Sequence, residues 1–346
     1  MASELKVDNI SEKTANAGVQ LSSSLGFVSK TTSQINALSG MAAGDTVYDS
    51  DMGTLKVYNG DSWNEMSSST HTIDIDYLVV AGGGGSGVDQ PTLGYTGGSG
   101  AGGLLSSKDT QGRGVAAATT PAFTSGTQIT VTVGAGGPSE SKGSPSTFYN
   151  VTALGGGIPA DSNADTAGGC GAGASASSID DTDIGGVGSH GYDGGDNNGN
   201  NSATGGGGGA GGEGAVPIGG TGGNGGVGAI TTILSSSTAT TVGVGEVSGS
   251  TVYFSGGGAG APNGTGGLGG GANGSGNLSG AQKTGGGCGG TYHTTVSGAG
   301  GSGVVIMRYP ATHTLTNIDS GLNDYTYTES NEKVTIFIGG TGTVTI

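Results

Sequence analysis

Residues 76–85 read DYLVVAGGGG, a β-prone apolar run that passes directly into four glycines. A matching segment, GGSGVVIMRYP at residues 300–310, passes from glycine back into an apolar run. Short apolar runs bounded by glycine are typical of buried strands. We therefore predict that the two runs pair centrally in one sheet and tie together the ends of the segment between them. Further strands are predicted at residues 128–133, 251–254 and 230–234.

The segment between these two runs is rich in glycine. Residues 81–310 contain 72 of the 82 glycines in the 346-residue chain, whereas Leu, Ile, Val and Phe together supply only 60 residues. So few large apolar residues predict no sizeable core within one chain. The glycine runs are either flexible linkers or extended three-residue helices of the polyglycine II type, packed side by side through backbone hydrogen bonds. We favour the packed form, and expect several chains to supply the missing core.

Glycine content and β-prone runs divide the chain into four parts. Residues 1–43 are interpreted as an N-terminal attachment segment, with a short strand at residues 5–10 and weak helical character at residues 34–38. The other three parts are a small β-hairpin unit at residues 44–70, a glycine-rich β domain with surface loops at residues 71–310, and a C-terminal β unit at residues 311–346. In the last part, a turn at Gly339-Gly340 is predicted to separate two strands. The fold class expected is all-β with a polyglycine-II-like region.

Charge excludes one class of partner. The chain has 26 acidic and 10 basic residues, a net charge of −16, without a Lys/Arg cluster that could neutralise phosphates, so we expect no nucleic-acid partner. No run approaches the roughly 18 apolar residues of a membrane span, and residues 1–23 lack the apolar region of a secretory signal. We expect a soluble protein that does not span a membrane. Cys170 and Cys288 are expected to be small buried thiols, and a disulfide between them stays open.

Sequence motifs for catalysis are absent. The chain contains no G-x-S-x-G, no P-loop and no H-E-x-x-H, so we expect no enzyme activity, no catalytic residue, no metal and no cofactor. The four histidines, which are His71, His190, His293 and His313, are expected to be isolated surface residues. The acidic segment 180–196 is expected to be a solvated loop, with Ca²⁺ binding as the alternative.

Three loops combine tyrosine or histidine with Asn, Asp or Gln, a composition that suits recognition of sugars and polar surfaces. They are residues 90–95, 180–202 and 291–293. The candidate receptor-binding residues are Tyr95, His190, Tyr192, Asp193, Asn197, Asn198, Tyr292 and His293. The alternative is that these are variable surface loops without a ligand.

Several short motifs resemble the glycine-rich tail-fibre and adhesin domains of bacteriophages, particularly of marine and cyanobacterial phages. They are the two bracketing segments, residues 76–85 and 300–310, and VTVGAGG at residues 131–137. GTLKVYNGDSW at residues 53–63 is similar to a hairpin that recurs in phage fibre proteins. Residues 334–346 are similar to the short β-unit that often follows such domains.

This resemblance implies an elongated homotrimeric fibre, made in the host cytoplasm and built into the virion. Its N-terminal segment would contact other phage tail proteins, and its loops would bind a host surface glycan or outer-membrane protein. In T-even-type adhesins, glycine runs form a packed lattice of polyglycine helices and the loops between them bind the receptor. The alternatives are a purely structural virion connector or decoration protein, and a polysaccharide depolymerase.

Overall fold

The computed structural model describes residues 27–66, 72–87, 95–159, 163–176, 184–199, 202–275, 278–291 and 298–346. The chain divides into two compact units, Met1–His71 and Thr72–Ile346. The strand predicted at residues 5–10 lies outside the described residues. Within the described part of the chain, no helix has the length and apolar character needed to cross a membrane.

The first unit is a small sheet with one short helix. Its strands are β1 (Ser29–Lys30), β2 (Thr46–Asp49), β3 (Thr54–Tyr58) and β4 (Trp63–Glu65), hydrogen-bonded in that order. Helix α1 (Thr32–Asn36) begins after Thr31, which forms a capping box with Gln34. The helix lies two residues before the predicted position, and Ile35 buries its apolar face.

A buried carboxylate joins α1 to this sheet. The side chain of Asp49 is fully buried, lies 2.8 Å from the Lys56 ammonium and accepts a hydrogen bond from the Thr32 hydroxyl. Burial alone would raise the pKa of Asp49, but the bonds from Lys56, Thr32 and two backbone N–H groups outweigh it and lower that pKa to about 2.

The second unit contains thirteen strands among its described residues. They are β5 (Thr72–Asp74), β6 (Asp76–Val80), β7 (Leu104–Ser106), β8 (Ala122–Thr124), β9 (Gln128–Val133), β10 (Ser146–Phe148), β11 (Val151–Ala153), β12 (Ala229–Thr231), β13 (Glu246–Ser248), β14 (Thr251–Phe254), β15 (Val304–Pro310), β16 (Leu322–Glu329) and β17 (Glu332–Thr345). Two helices, α2 (Asn163–Thr166) and α3 (Ser236–Val242), and a 3₁₀ turn at Gly112–Gly114 complete it.

Eight strands form a nearly closed barrel. Their order is β11-β10-β9-β17-β15-β6-β7, with β16 also paired to β17. The two edges meet where the Gly103 N–H donates to the Leu154 carbonyl at 2.8 Å; we call this contact the seam. The predicted central pairing is confirmed, because β6 and β15 are antiparallel neighbours with Val80 opposite Val304.

Both faces of β6 and β15 are covered, which explains why their sequences are continuously apolar. Val79 and Val305 face a cluster that includes Phe148 and Phe337. Their neighbours Leu78 and Ile306 face a second cluster, to which α3 and the small sheet β12-β14-β13 contribute. A single chain therefore supplies two apolar clusters, contrary to the expectation that other copies must supply the core.

Two strand predictions need correction. The turn predicted at Gly339-Gly340 is wrong, because both residues lie inside the continuous strand β17. Gly340 has φ +97° and pairs with β16 on one side and β9 on the other. The strand bulges at Ile338, next to the two glycines, where its partner changes from β15 to β9. The strand predicted at residues 230–234 ends at Thr231. The next residue, Thr232, donates its N–H and its hydroxyl to the Asp109 carboxylate instead of continuing the strand.

The glycine runs form a packed lattice. In the run at residues 82–86, residues three apart donate their N–H groups to the same neighbouring run. The bonds are Gly82 to Ser144 and Gly85 to Ser141 on one neighbour, and Gly83 to Gly301 and Ser86 to Gly298 on a second. A period of three distinguishes these runs from β-strands, whose period is two. The described runs are ordered and hydrogen-bonded side by side, which favours the packed interpretation over flexible linkers.

Close backbone approach explains why the lattice needs glycine. A Cβ placed on Gly207 would lie 2.0 Å from the Ser99 carbonyl oxygen, and one on Gly98 would lie 2.1 Å from that of Gly258. The lattice replaces an apolar core with satisfied backbone groups, which is the second reason that one chain can order itself. Cys170 and Cys288 are separate buried thiols within it, as expected; burial raises the pKa of both, that of Cys288 to about 12.

Candidate binding cleft

The structure separates the predicted binding residues into two groups. Tyr95, Asn197 and Asn198 lie where lattice runs end, whereas His190, Tyr192 and Asp193 lie beside β7 and the segment that follows it. The remaining candidates, Tyr292 and His293, lie outside the described residues.

The first group belongs to what we call the distal end, defined by Tyr95, Thr96, Ser175, Asn197, Thr204 and Thr291. Hydrogen bonds join five stretches of chain here: Ala176 N–H to the Tyr95 carbonyl, Asn197 Nδ2 to the Ser175 carbonyl, Thr204 hydroxyl to the Thr96 carbonyl, and Thr291 N–H to the Thr96 hydroxyl. The run that starts at Tyr95 enters the barrel at Leu104. At about 3.1 Å per residue, Thr96 lies about 25 Å from that strand.

His190 supports the seam rather than projecting from a surface loop. Its Nδ1 accepts the Leu154 N–H at 3.2 Å, and its carbonyl accepts the Leu104 N–H at 3.1 Å. The side chain is half-buried, and burial lowers the pKa of the imidazole. The expectation of an isolated surface histidine is wrong at this position.

Asp193 holds the segment 109–115 in place. It forms a bidentate ion pair with Arg113 and accepts the Gly188 N–H at 2.8 Å. The hydrogen bond from Arg113 lowers the pKa of Asp193. Asp196 accepts the Gly185 N–H, while Asp180, Asp181 and Asp183 lie outside the described residues. Where the structure describes the chain, no group of three potential metal-binding side chains occurs.

A cleft of about 590 Å³ lies next to this ion pair. Tyr192 and Tyr253 are its aromatic residues, Val227 and Ile230 its aliphatic ones, and its other lining residues are Asp109, Thr110, Gln111, Gly114, Ala210, Gly211, Gly228 and Ala229. The volume falls in the range of about 300–1,000 Å³ typical of small-molecule sites. We call this feature the cleft.

The wall of the cleft at residues 109–115 is fixed by local bonds. The Asp109 carboxylate accepts the Thr231 hydroxyl, the Thr232 hydroxyl and the Thr232 N–H, all within 2.8 Å. Arg113 has φ +63°, a left-handed conformation that a non-glycine residue adopts at a cost. Its ion pair with Asp193 and its N–H bond to the Ala210 carbonyl hold it there.

Sequence reasoning found Tyr192 but missed the other cleft residues. One signal was available for Tyr253, which alternates with the buried residues Val252 and Phe254 in a predicted strand and must point away from them. For Asp109 and Arg113 no local pattern indicates a role, because their partners lie 80 or more positions away.

One family model matches most of the chain. Residues 59–310 match the family model of the glycine-rich domain. No curated protein and no solved structure matches the chain significantly. The family match covers most of the chain and includes both bracketing strands, β6 and β15, together with the glycine lattice between them. The chain therefore belongs to the glycine-rich domain family.

Proposed function

We propose that this chain is a non-enzymatic adhesin of the bacteriophage tail-fibre kind, which binds a host cell surface through loops at the distal end of its glycine lattice. The observation that supports the proposal is the convergence of separate runs there. Residues Tyr95, Ala176, Asn197, Thr204 and Thr291 border four intervening segments, of which Asn197 and Thr204 flank the same one, and hydrogen bonds bring these residues together. Several loops that leave a rigid scaffold at one place are a common basis for recognition.

The lattice suits this role because the backbone groups of its runs already bond to one another and are not free to bind a ligand. Its N–H groups donate to neighbouring runs and its glycines pack against backbone, which leaves side chains at run ends to provide specificity. In this proposal, residues 1–43 attach the chain to other phage tail proteins in the virion. The receptor is a host surface glycan or an outer-membrane protein.

The homotrimer expected of a fibre is part of the proposal and rests on the sequence resemblance alone. The described lattice and both apolar clusters form within one chain, so the fold itself does not require three copies. Light scattering on the full chain tests this part: a mass three times that of one chain supports the fibre, and a stable monomer argues against it.

Loop replacement tests the binding role. Residues 177–183 and 292–297, which follow Ala176 and Thr291 in the sequence, are replaced by glycine–serine segments of equal length in the full chain. A matched control carries Ser330→Gly and Asn331→Gly in the turn between β16 and β17. Binding is measured to arrays of bacterial lipopolysaccharide and capsular fragments and to outer-membrane vesicles.

The proposal predicts that the loop replacements abolish binding to one of these two probes and that the control binds normally. Binding to the array identifies a glycan receptor, whereas binding to vesicles alone identifies a protein receptor. A chain that binds neither probe would favour a structural connector instead. Release of reducing saccharide from the capsular fragments would favour a depolymerase.

A further inference from the structure

We propose that the cleft between Tyr192 and Tyr253 is a second binding site, which takes a short neutral saccharide. The site lies beside β7 and β14, whereas the distal end lies at the other end of the runs. The inference is therefore independent of whether the distal loops bind a receptor.

The fold positions the two tyrosines of the cleft but does not engage their hydroxyl groups. Tyr253 lies on the central strand of the β12-β14-β13 sheet, directly opposite Ile230. The hydroxyl of Tyr192 reaches over Gly114, where a Cβ would lie 3.2 Å from it. Within the part of the chain that the structure describes, neither phenol hydroxyl has a hydrogen-bond partner. Each ring thus offers an apolar face together with a free polar group.

The charged groups at the cleft already have hydrogen-bond partners within the chain, which favours a neutral ligand. Three hydrogen bonds from Thr231 and Thr232 occupy the Asp109 carboxylate. Arg113, next to the cleft, is paired with Asp193. An anionic ligand would find no unpaired cation here, because Arg113 is paired with Asp193. A cationic ligand would have to compete with three hydrogen-bond donors for the Asp109 carboxylate, and either ion would lose hydration on entry.

The floor and rim of the cleft fit a saccharide. Gly211 and Gly228 line the cleft with backbone, and both are glycine because a Cβ there would meet the backbone of the neighbouring chain segment. Ile230 and Val227 are exposed apolar residues at the rim. A neutral sugar has an apolar C–H face for the rings and the rim, and hydroxyl groups for the two phenols, the Thr110 hydroxyl and the backbone. Two tyrosines provide stacking for one or two sugar rings, not for a long chain.

The wall is pre-organised for binding. The left-handed backbone at Arg113 and at Gly114, which has φ +68°, is held by the ion pair to Asp193 and by the Gln111 N–H bond to the Val115 carbonyl at 2.7 Å. Maintained strain of this kind in a surface segment is a feature of binding sites. A fixed wall lowers the entropy cost of ordering the site when a ligand binds.

Saturation-transfer NMR on the full chain tests the proposal. The probes are the neutral disaccharides maltose, cellobiose, lactose and N,N′-diacetylchitobiose, with choline as a cationic probe and inorganic phosphate as an anionic one. The variants are Tyr192→Ala and Tyr253→Ala, and the matched control is Tyr325→Ala, an exposed tyrosine on β16. Thermal unfolding establishes that each variant is folded, and Tyr192→Ala carries the test if Tyr253→Ala does not fold.

We expect at least one disaccharide to bind through its C–H protons, and choline and phosphate not to bind. Each cleft variant should weaken that binding by about tenfold or more, and the control should leave it unchanged. Binding must also persist when residues 177–183 and 292–297 are replaced, which separates this site from the proposed receptor site. The proposal is overturned if no disaccharide binds, if a charged probe binds instead, or if both cleft variants bind as the original chain does.

Discussion

Glycine is needed in the lattice because it has no Cβ atom. Gly207 donates its N–H to Gly258 and accepts an N–H from Gly226, while its Cα faces the Ser99 carbonyl at a distance that no side chain allows. Glycine loses more backbone entropy on folding than any other residue. This entropy cost is offset because the buried backbone groups of neighbouring runs hydrogen-bond to one another, in place of buried side chains.

This geometry predicts the effect of one added methyl group. Gly207→Ala places a Cβ 2.0 Å from the Ser99 oxygen, so neighbouring runs must separate, and we expect the free energy of unfolding to fall by about 1–3 kcal/mol or more. The control is Gly339→Ala, whose Cβ would meet only the Asn323 amide at 3.4 Å. Thermal unfolding of both variants checks this, and equal stability of the two would contradict the packed lattice.

His190 predicts a pH dependence of stability. Burial lowers its pKa below the ordinary value of 6.5, so the unfolded chain binds the proton first as the pH falls. Its contribution is complete above pH 6.5 and is lost progressively below it, because protonated Nδ1 can no longer accept the Leu154 N–H. The free energy of unfolding, measured from about pH 7.5 to about pH 5, should fall less steeply for His190→Asn than for the control His313→Asn. Identical slopes would show that protonation of His190 does not destabilise the seam.

Among the elements, the central strands β6 and β15 can be predicted from the sequence, whereas the short strands β7, β10 and β11 and the contacts between elements cannot. Residues 76–80 and 304–310 are continuously apolar because both faces of β6 and β15 are buried, and this pattern is local in sequence. β17 was misread because Gly339-Gly340 suits a turn as well as a bulge, and only the partners β9 and β16 decide between them. The cleft was largely missed for the same reason: its wall depends on bonds between residues about 80 to 120 positions apart.

One cluster of charged side chains connects α3 to the barrel. Arg308 on β15 donates to Glu329 and Glu332, and Glu329 also accepts the N–H of Ser235, the N-cap of α3, and the Thr238 hydroxyl. Burial alone would raise the pKa of Glu329, but these hydrogen bonds outweigh it and lower that pKa to about 2.

Arg308→Met tests the connection. The Arg308 and Glu329 side chains are 13 % and 16 % exposed, so the variant leaves a partly buried carboxylate without its cation, and we expect a loss of about 1.5–3 kcal/mol. The control, Lys108→Met, removes a more exposed pair with Asp76 and should cost less than about 1 kcal/mol. Chemical denaturation measures the free energy of unfolding of both variants. A greater loss for Lys108→Met than for Arg308→Met would contradict the prediction.

For the whole molecule, the glycine content that predicts disorder is compatible with an ordered chain. Composition rules for disorder count apolar side chains, because these usually offset chain entropy. Here the offset is divided between two apolar clusters around the barrel and a lattice of satisfied backbone groups. Composition could therefore predict the lattice as one of two alternatives, but the choice depends on which runs lie side by side, and that is set by the strands at their ends.

Amide hydrogen exchange followed by NMR tests this account most directly. Each N–H of Gly205–Gly208 donates to another run, so these amides should exchange as slowly as those of β15, about 1,000-fold or more below the rate of an unstructured chain. Gly219 and Gly220, in an open turn with positive φ, should exchange rapidly and serve as the internal control. Exchange of Gly205–Gly208 at the unstructured rate, with β15 still protected, would contradict the lattice and the rigid scaffold built on it.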